Sequence, residues 1–244
     1  MTATVIPQRK AVFLDRDGVV NGLVYHSATG NTELPHSLSE FIILPNVAEA
    51  IHELNQLGLL VFVVSNQPGV AKGYLSRREL RGMDEKLKSH LADFGAWIDA
   101  IYHCLHHPQA AVKKLRKECS CRKPGVGLFN AATRRFNVSA HDSYMVGDSV
   151  VDLAAGRKAG CTTLFIGQWK CELCQLKPTV YHPPDLVARD LWSAVQIIKE
   201  HLGKAHGSST CRCASPSTLR LSNPSAVHSV TTALTQNPKL LIRP

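Results

Sequence analysis

The sequence predicts an α/β protein: a Rossmann-like, doubly wound parallel sheet with helices on both faces. Three observations predict it. Short apolar runs of strand length alternate along the chain with segments in which apolar residues recur at helical spacing, the pattern of repeated β–α units. Polar residues able to do chemistry follow the apolar runs, at the strand ends where open α/β sheets bind ligands. The chain of 244 residues is long enough to bury one sizeable core with a tail to spare.

The elements follow in order. Ala11-Val12-Phe13-Leu14 reads as a buried strand, and Gly18 lets the chain turn sharply after it. The segment from Asn21 to Glu40 is polar and rich in Ser, Thr, Asn and Gly, and reads as a loop lying over the end of that strand. Val47, Ile51, Leu54 and Leu57 mark a helix over residues 46–57 that Gly58 ends. Leu59 to Val64 is a second strand. Ser76-Arg77-Arg78-Glu79 is a capping box and opens a helix to about Phe94. Ala100 to Tyr102 is a third strand, Gly127 to Arg135 a helix, Tyr144 to Val146 a fourth strand followed by a helix through Ala159, and Thr162 to Ile166 a fifth strand. Leu186 to Leu202 reads as a final helix with Asp185 as its N-cap. The domain therefore spans residues 1–202. Residues 203–244 form a basic tail in which 12 of 42 residues are Ser or Thr, expected to be disordered apart from a short strand near Leu240 to Ile242.

Composition narrows the function. The hydrophobic fraction of 44% is ordinary for a globular protein. No apolar run is long enough for a membrane helix, and the N-terminus has no apolar signal core, so a cytoplasmic protein with reduced thiols is expected. The net charge is +9; the tail holds five basic residues and no acid, which leaves +4 for the rest. Such a tail can touch nucleic acid non-specifically, whereas the modest core charge suits an anionic small molecule. A monomer is expected.

Asp15-Arg16-Asp17-Gly18 carries the central chemistry. Alternate side chains of an extended segment share a face, so Asp15 and Asp17 are expected to converge on one spot and to need a hard cation such as Mg²⁺. One carboxylate can attack phosphorus while the other moves the proton of the leaving alcohol. A simple turn with two aspartates capping backbone amides is the competing reading. Ser65-Asn66, at the end of the second strand, can donate to phosphate oxygens. Gly147-Asp148 ends the fourth strand, where Asp148 can reach the cation held by Asp15. Asp152, four residues on, is either near that site or a favourable charge at a helix start. Lys123 can offset phosphoryl charge, and Arg122 can grip a second anionic group.

Cys104, His106, Cys119 and Cys121 form a Cys₃His set suited to closed, structural Zn²⁺, although His103 and His107 could compete with His106. Cys161 reads as a small buried hydrophobe, and Cys171/Cys174 with Cys211/Cys213 are a weaker candidate for a second metal pair.

Together these segments resemble the haloacid-dehalogenase superfamily. Asp15-Arg16-Asp17-Gly18-Val19, Ser65-Asn66, Lys123 and Gly147-Asp148 match its four motifs in order. Cys104-Leu105-His106-His107-Pro108-Gln109 and Cys119-Ser120-Cys121-Arg122-Lys123-Pro124 resemble the zinc loop of its heptose-bisphosphate and histidinol-phosphate phosphatases, over residues 10–202. The resemblance implies a small zinc-bound loop in place of a cap domain. It implies Asp15 as nucleophile and Asp17 as general acid/base, with Mg²⁺ held by Asp15, the Asp17 backbone carbonyl and Asp148. It also implies Ser65 and Lys123 on the transferring phosphoryl group, Arg122 in substrate recognition, and Cys104, His106, Cys119 and Cys121 on zinc. The expected activity is a phosphomonoesterase acting on the 7-phosphate of a heptose 1,7-bisphosphate. Histidinol phosphate, a DNA 3′-phosphate, or no catalysis in a zinc-stabilised binding protein are the alternatives. Two departures from the family pattern, a long segment from Asn21 to Glu40 and Ser149 in place of a basic residue, both bear on substrate recognition.

Overall fold

A computed structural model describes residues 7–27, 30–167 and 183–207. The elements are β1 (Ala11–Leu14), β2 (Val24–His26), β3 (Asn31–Glu33), α1 (Val47–Gln56), β4 (Leu60–Asn66), α2 (Pro68–Lys72), α3 (Arg77–Asp93), β5 (Ala100–Cys104), α4 (Gly127–Phe136), β6 (Tyr144–Gly147), α5 (Val150–Ala159), β7 (Thr162–Ile166), β8 (Leu186–Ala188) and α6 (Leu191–Gly207). Six strands form one sheet in the order β5-β4-β1-β6-β7-β8, and every pairing in it is parallel. The fold class is the predicted one.

All four residues of β1 are fully buried because β1 lies mid-sheet with apolar layers on both faces. Val12 and Leu14 point into a cluster with Ile51, Leu54, Met83 and Leu87, while Ala11 and Phe13 meet Phe62, Phe129 and Met145 on the other face. Phe13 packs against Phe62 and Phe129 with ring centroids 5.3 and 4.8 Å apart. From β1 the chain builds outward through β4 and β5, then crosses back to start the other half at β6. Strand order reverses beside β1, and Asp15 and Asp148 sit at that reversal, the usual crevice for a ligand.

The capping box of α3 is present, with Glu79 N–H donating to Ser76 Oγ at 3.1 Å and Ser76 N–H to Glu79 Oε2 at 3.0 Å. Gly58 has the positive φ that ends α1.

Two expectations are corrected. The segment from Asn21 to Glu40 is not all loop, since β2 and β3 pair in it as an antiparallel hairpin. Residues 186–202 are not one helix. Leu186–Ala188 is strand β8, paired in parallel with β7, and α6 begins at Leu191 and runs to Gly207, beyond the predicted end of the domain at residue 202. Asp185 caps nothing. Its carboxylate accepts from Thr163 N–H at 2.8 Å and Thr163 Oγ at 2.7 Å, which clips the edge strand to β7. Asp190 is the cap, accepting from Ser193 N–H at 2.7 Å. A three-residue apolar run looks the same in strand and helix, and the free edge of β7 decided between them. Cys171, Cys174, Cys211, Cys213 and the segment near Leu240 lie outside the described residues.

Candidate active site

The site is built at the C-terminal ends of β1, β4 and β6. Asp15 follows β1, Asp148 follows β6, and Asp152 lies in the first turn of α5; one carboxylate oxygen of each falls within 4.8 Å of the others. Gly18 has φ +86°, and any Cβ there would collide with the Asp148 carboxylate, so glycine serves both the turn and the close approach. Gly147 likewise leaves room for Asp152.

Lys123 enters this cluster from the loop before α4. Its Nζ lies 2.8 Å from Asp15 Oδ1 and 2.6 Å from Asp152 Oδ1, and donates to the Val64 carbonyl at 2.8 Å. Asn66 fixes the lysine from the backbone side: its amide accepts from Lys123 N–H at 2.9 Å and donates to the Lys123 carbonyl at 3.1 Å. Asn66 therefore has a positional role on the Lys123 backbone, through its amide oxygen and one of its two amide hydrogens. Asp152 also accepts from the Ser149 hydroxyl and from Ser149 N–H. Asp15 Oδ1 takes a further bond from Arg16 N–H at 2.7 Å, while its Oδ2 accepts none from a described residue.

Three carboxylates and one ammonium leave an excess of buried negative charge. Burial first, and then Asp152, pushes Asp15 up to about 8 and Asp148 up to about 7. Burial opposes the charged form of Lys123, but Asp15 and Asp152 outweigh it and hold the ammonium above its usual range. With Asp152 paired to Lys123, the oxygens of Asp15 and Asp148 are the donors left for a hard divalent cation, and they fit Mg²⁺.

Asp17 lies near enough to repel the Asp15 carboxylate, but its own carboxylate does not share the cation position with Asp15. The metal-ligand cluster excludes its carboxylate, which is buried in a separate web. Oδ1 accepts from Arg16 Nη2 at 3.0 Å, Arg16 Nε at 3.3 Å and Asn21 Nδ2 at 3.0 Å. Oδ2 accepts from Gln67 Nε2 at 2.6 Å and from Ser65 Oγ at 3.5 Å. The turn after Gly18, closed by its N–H on the Asn21 carbonyl at 2.7 Å, leaves Asp17 facing Gln67 at the start of α2. The sequence assigned no role to Arg16 or Asn21; an arginine set between two aspartates was the available signal.

Beside this web, a cavity of about 320 Å³ opens between the β2–β3 hairpin and α2, lined by His36, Gln67, Lys72 and Tyr74 among others. Arg122 donates to the His106 carbonyl at 3.4 Å. Arg122 and Lys72 both lie near enough to His107 to help burial lower its pKa.

Cys104, His106, Cys119 and Cys121 converge. The sulfurs stand 3.2, 3.3 and 3.6 Å apart and His106 Nδ1 lies 3.3 Å from Cys121 Sγ, close to the about 3.8 Å edge of a thiolate tetrahedron around zinc. His103 instead meets Asp84 at 2.9 Å, and His107 Nδ1 accepts from Gln109 N–H, so neither competes with His106. Burial, with Lys117 and Arg77, holds His106 toward its neutral, ligating form. Burial pushes Cys104 and Cys121 up. It also opposes ionisation of Cys119, but hydrogen bonds from Cys121, the Arg122 amide and Cys104 outweigh it, so Cys119 is the thiol held down. The donor set fits Zn²⁺. Cys161 is buried among apolar residues, as expected.

Comparison with known proteins sets this geometry in a family. The HAD-hydrolase-like family model matches residues 120–194. The D-glycero-β-D-manno-heptose-1,7-bisphosphate 7-phosphatase of Haemophilus ducreyi is 36% identical over 156 residues, 64% of this chain and 81% of that protein. The enzyme of the same name from Escherichia coli K12 is 36% identical over 153 residues, 63% of this chain and 76% of that protein. A crystal structure of D,D-heptose 1,7-bisphosphate phosphatase from B. bronchiseptica, complexed with magnesium and phosphate, superposes with a TM-score of 0.66 at 31% identity, covering 79% of this chain and 99% of that one. The fold and the site define a phosphatase of the haloacid-dehalogenase type. Within that class, the chain belongs to the family of heptose-bisphosphate phosphatases.

Proposed function

We propose that this protein removes the 7-phosphate of D-glycero-D-manno-heptose 1,7-bisphosphate, a step toward nucleotide-activated heptose, through an aspartyl-phosphate on Asp15. The single observation that carries the chemistry is the Lys123 ammonium 2.8 Å from Asp15 Oδ1 at the point where strand order reverses. The 7-phosphate is assigned from the family.

Asp15 attacks phosphorus as its P–O bond to the sugar breaks. Asp17 gives its proton to the departing sugar oxygen, then takes one from the water that cleaves the acyl phosphate. Lys123, fixed by Asp152, Asn66 and the Val64 carbonyl, bears the charge that develops on the phosphoryl oxygens. Ser65 faces the same group, and Arg122 holds the non-reacting end of the substrate. Asp15, the Asp17 carbonyl and Asp148 would hold Mg²⁺, which neutralises the phosphate and relieves the repulsion of the carboxylates. Cys104, His106, Cys119 and Cys121 would hold Zn²⁺ as a structural ion, tying off the loop that carries Arg122 and Lys123. Free thiols and phosphorylated sugars suit the cytoplasm. Residues 203–244 are read as a dispensable tail, with the deletion best begun after Gly207, where α6 ends.

The test is phosphate release, with Mg²⁺, from heptose 1,7-bisphosphate, histidinol phosphate and a 3′-phosphorylated oligonucleotide. Preference for the first by kcat/KM is the expected result. Preference for either of the others overturns the substrate.

A further inference from the structure

We propose that Gln67 is a positioning residue that fixes the orientation of the Asp17 carboxylate. The proposal rests on the role of Asp17 as general acid given above.

Gln67 is fully buried, and both polar atoms of its side chain are engaged. Oε1 accepts from Arg16 Nη2 at 3.1 Å, while Nε2 donates to Asp17 Oδ2 at 2.6 Å and to Ser65 Oγ at 2.9 Å. This pattern fixes which way the amide faces. A flip would set its carbonyl against the Asp17 carboxylate and its N–H groups against the Arg16 guanidinium, both repulsive. The backbone is held too, since Gln67 N–H donates to the Cys104 carbonyl at 2.8 Å. Gln67 is thus anchored on one side to the end of β5 and on the other to Asp17.

Arg16 and Asn21 hold only Oδ1 of Asp17, so the carboxylate could still pivot about that oxygen. The strong contact to Oδ2 comes from Gln67 at 2.6 Å, against 3.5 Å for Ser65 Oγ. Arg16, sealed beneath Phe41 and Met83, holds the other end of the Gln67 amide.

The function served is proton delivery. As the Asp15–phosphorus bond forms and the bond from phosphorus to the leaving oxygen breaks, the Asp17 proton passes to that oxygen. An alkoxide needs the proton, whereas a nitrophenolate leaves without it. Misplacing Asp17 should therefore harm alkyl esters selectively. The parameter to read is kcat/KM, which covers steps only through departure of the alcohol.

The experiment compares Gln67→Met with the unaltered protein, under saturating Mg²⁺, on heptose 1,7-bisphosphate and glycerol 3-phosphate as alkyl esters and 4-nitrophenyl phosphate as the aryl ester. Gln67→Ala replaces it if methionine prevents folding, with melting temperature and zinc content as checks on the fold. The expected result is a loss in kcat/KM at least about tenfold greater for an alkyl ester than for the aryl ester. Equal losses on both, or no loss, overturn the proposal. If the unaltered protein turns over glycerol 3-phosphate but not the heptose ester, the substrate assignment falls while the comparison still decides the role of Gln67. If it turns over no ester, both fall.

Discussion

Lys123 reaches the Asp15 carboxylate from a loop 108 positions further along the chain, and the ammonium is almost fully enclosed when it does so. A buried charge in such a place is kept by its partners. Asp152, on the far side of the lysine, is buried completely and supplies the second of them.

Lys123→Met should fail in two separable ways. Turnover should fall by about 10²–10³-fold or more, the usual effect of removing one strong electrostatic stabiliser of the transition state. Stability should fall by roughly 3–5 kcal/mol, because Asp15 and Asp152 are left buried without compensation. Adding Asp152→Asn should recover part of the stability and none of the activity. Urea unfolding beside steady-state kinetics checks both, and recovery of activity in the double variant would contradict the assigned role of Lys123.

Asp15→Asn should abolish turnover while leaving the fold intact. In the metal-free protein it should raise the melting temperature, since it removes one of three crowded carboxylates. A fall in melting temperature would mean that the Lys123 contact outweighs the repulsion.

Stability of the metal-free protein should decline with pH. The folded values of Asp15 and Asp148 lie above the ordinary carboxylate value, at about 8 and about 7, so the folded state binds the extra protons. Stability is then fullest below about pH 4 for these groups and is lost as pH rises through 7–8. Mg²⁺ should offset that loss. Its stabilisation should be larger at pH 8 than at pH 6, and its binding near neutrality should release protons in calorimetry across buffers of different ionisation heat. Equal stabilisation at both pH values, without proton release, would count against Asp15 and Asp148 as ligands.

Gly18→Ala should weaken Mg²⁺ binding. Its methyl meets the Asp148 carboxylate at a φ of +86° that alanine adopts at a cost. Titration of the Mg²⁺-dependent melting shift would reveal it, and an unchanged titration would show that Asp148 has room to move.

Cys119→Ser should lose zinc and lower the melting temperature, because a tetrahedral thiolate site lacking one ligand holds the ion poorly. Metal analysis decides the ligand assignment, and undiminished zinc content would refute it. Activity should fall as well, since Cys121, Arg122 and Lys123 are consecutive.

Much of this was legible in the chain itself. Ala11 to Leu14 followed by Asp15 and Gly18 announces a strand delivering carboxylates to a turn, and the Ser76–Glu79 box announces its helix, because both signals are complete within a few residues. The Cys₃His set was legible by residue type, His106 included, although spacing left His103 and His107 as competitors. The three separate only when β5 turns His103 toward Asp84 and leaves His106 beside the sulfurs. The start of the last helix was misplaced for a related reason, as Leu186–Ala188 is too short to reveal its period and takes its strand form from β7.

By itself, then, the sequence determined the alternation of strands and helices, the acids at the strand ends and the donors for two metals, all carried by local spacing and residue chemistry. The tertiary structure alone decided the pairings: Asp152 with Lys123, Asn66 with the Lys123 backbone, and Asp17 with Arg16 and Gln67 rather than with Asp15. Apart from the Asp17–Arg16 contact, these join residues some 29 to 57 positions apart, using directional contacts that exist only once parallel strands have brought their ends together. No periodicity along the chain records which buried charge will find which partner, because desolvation makes that choice in three dimensions.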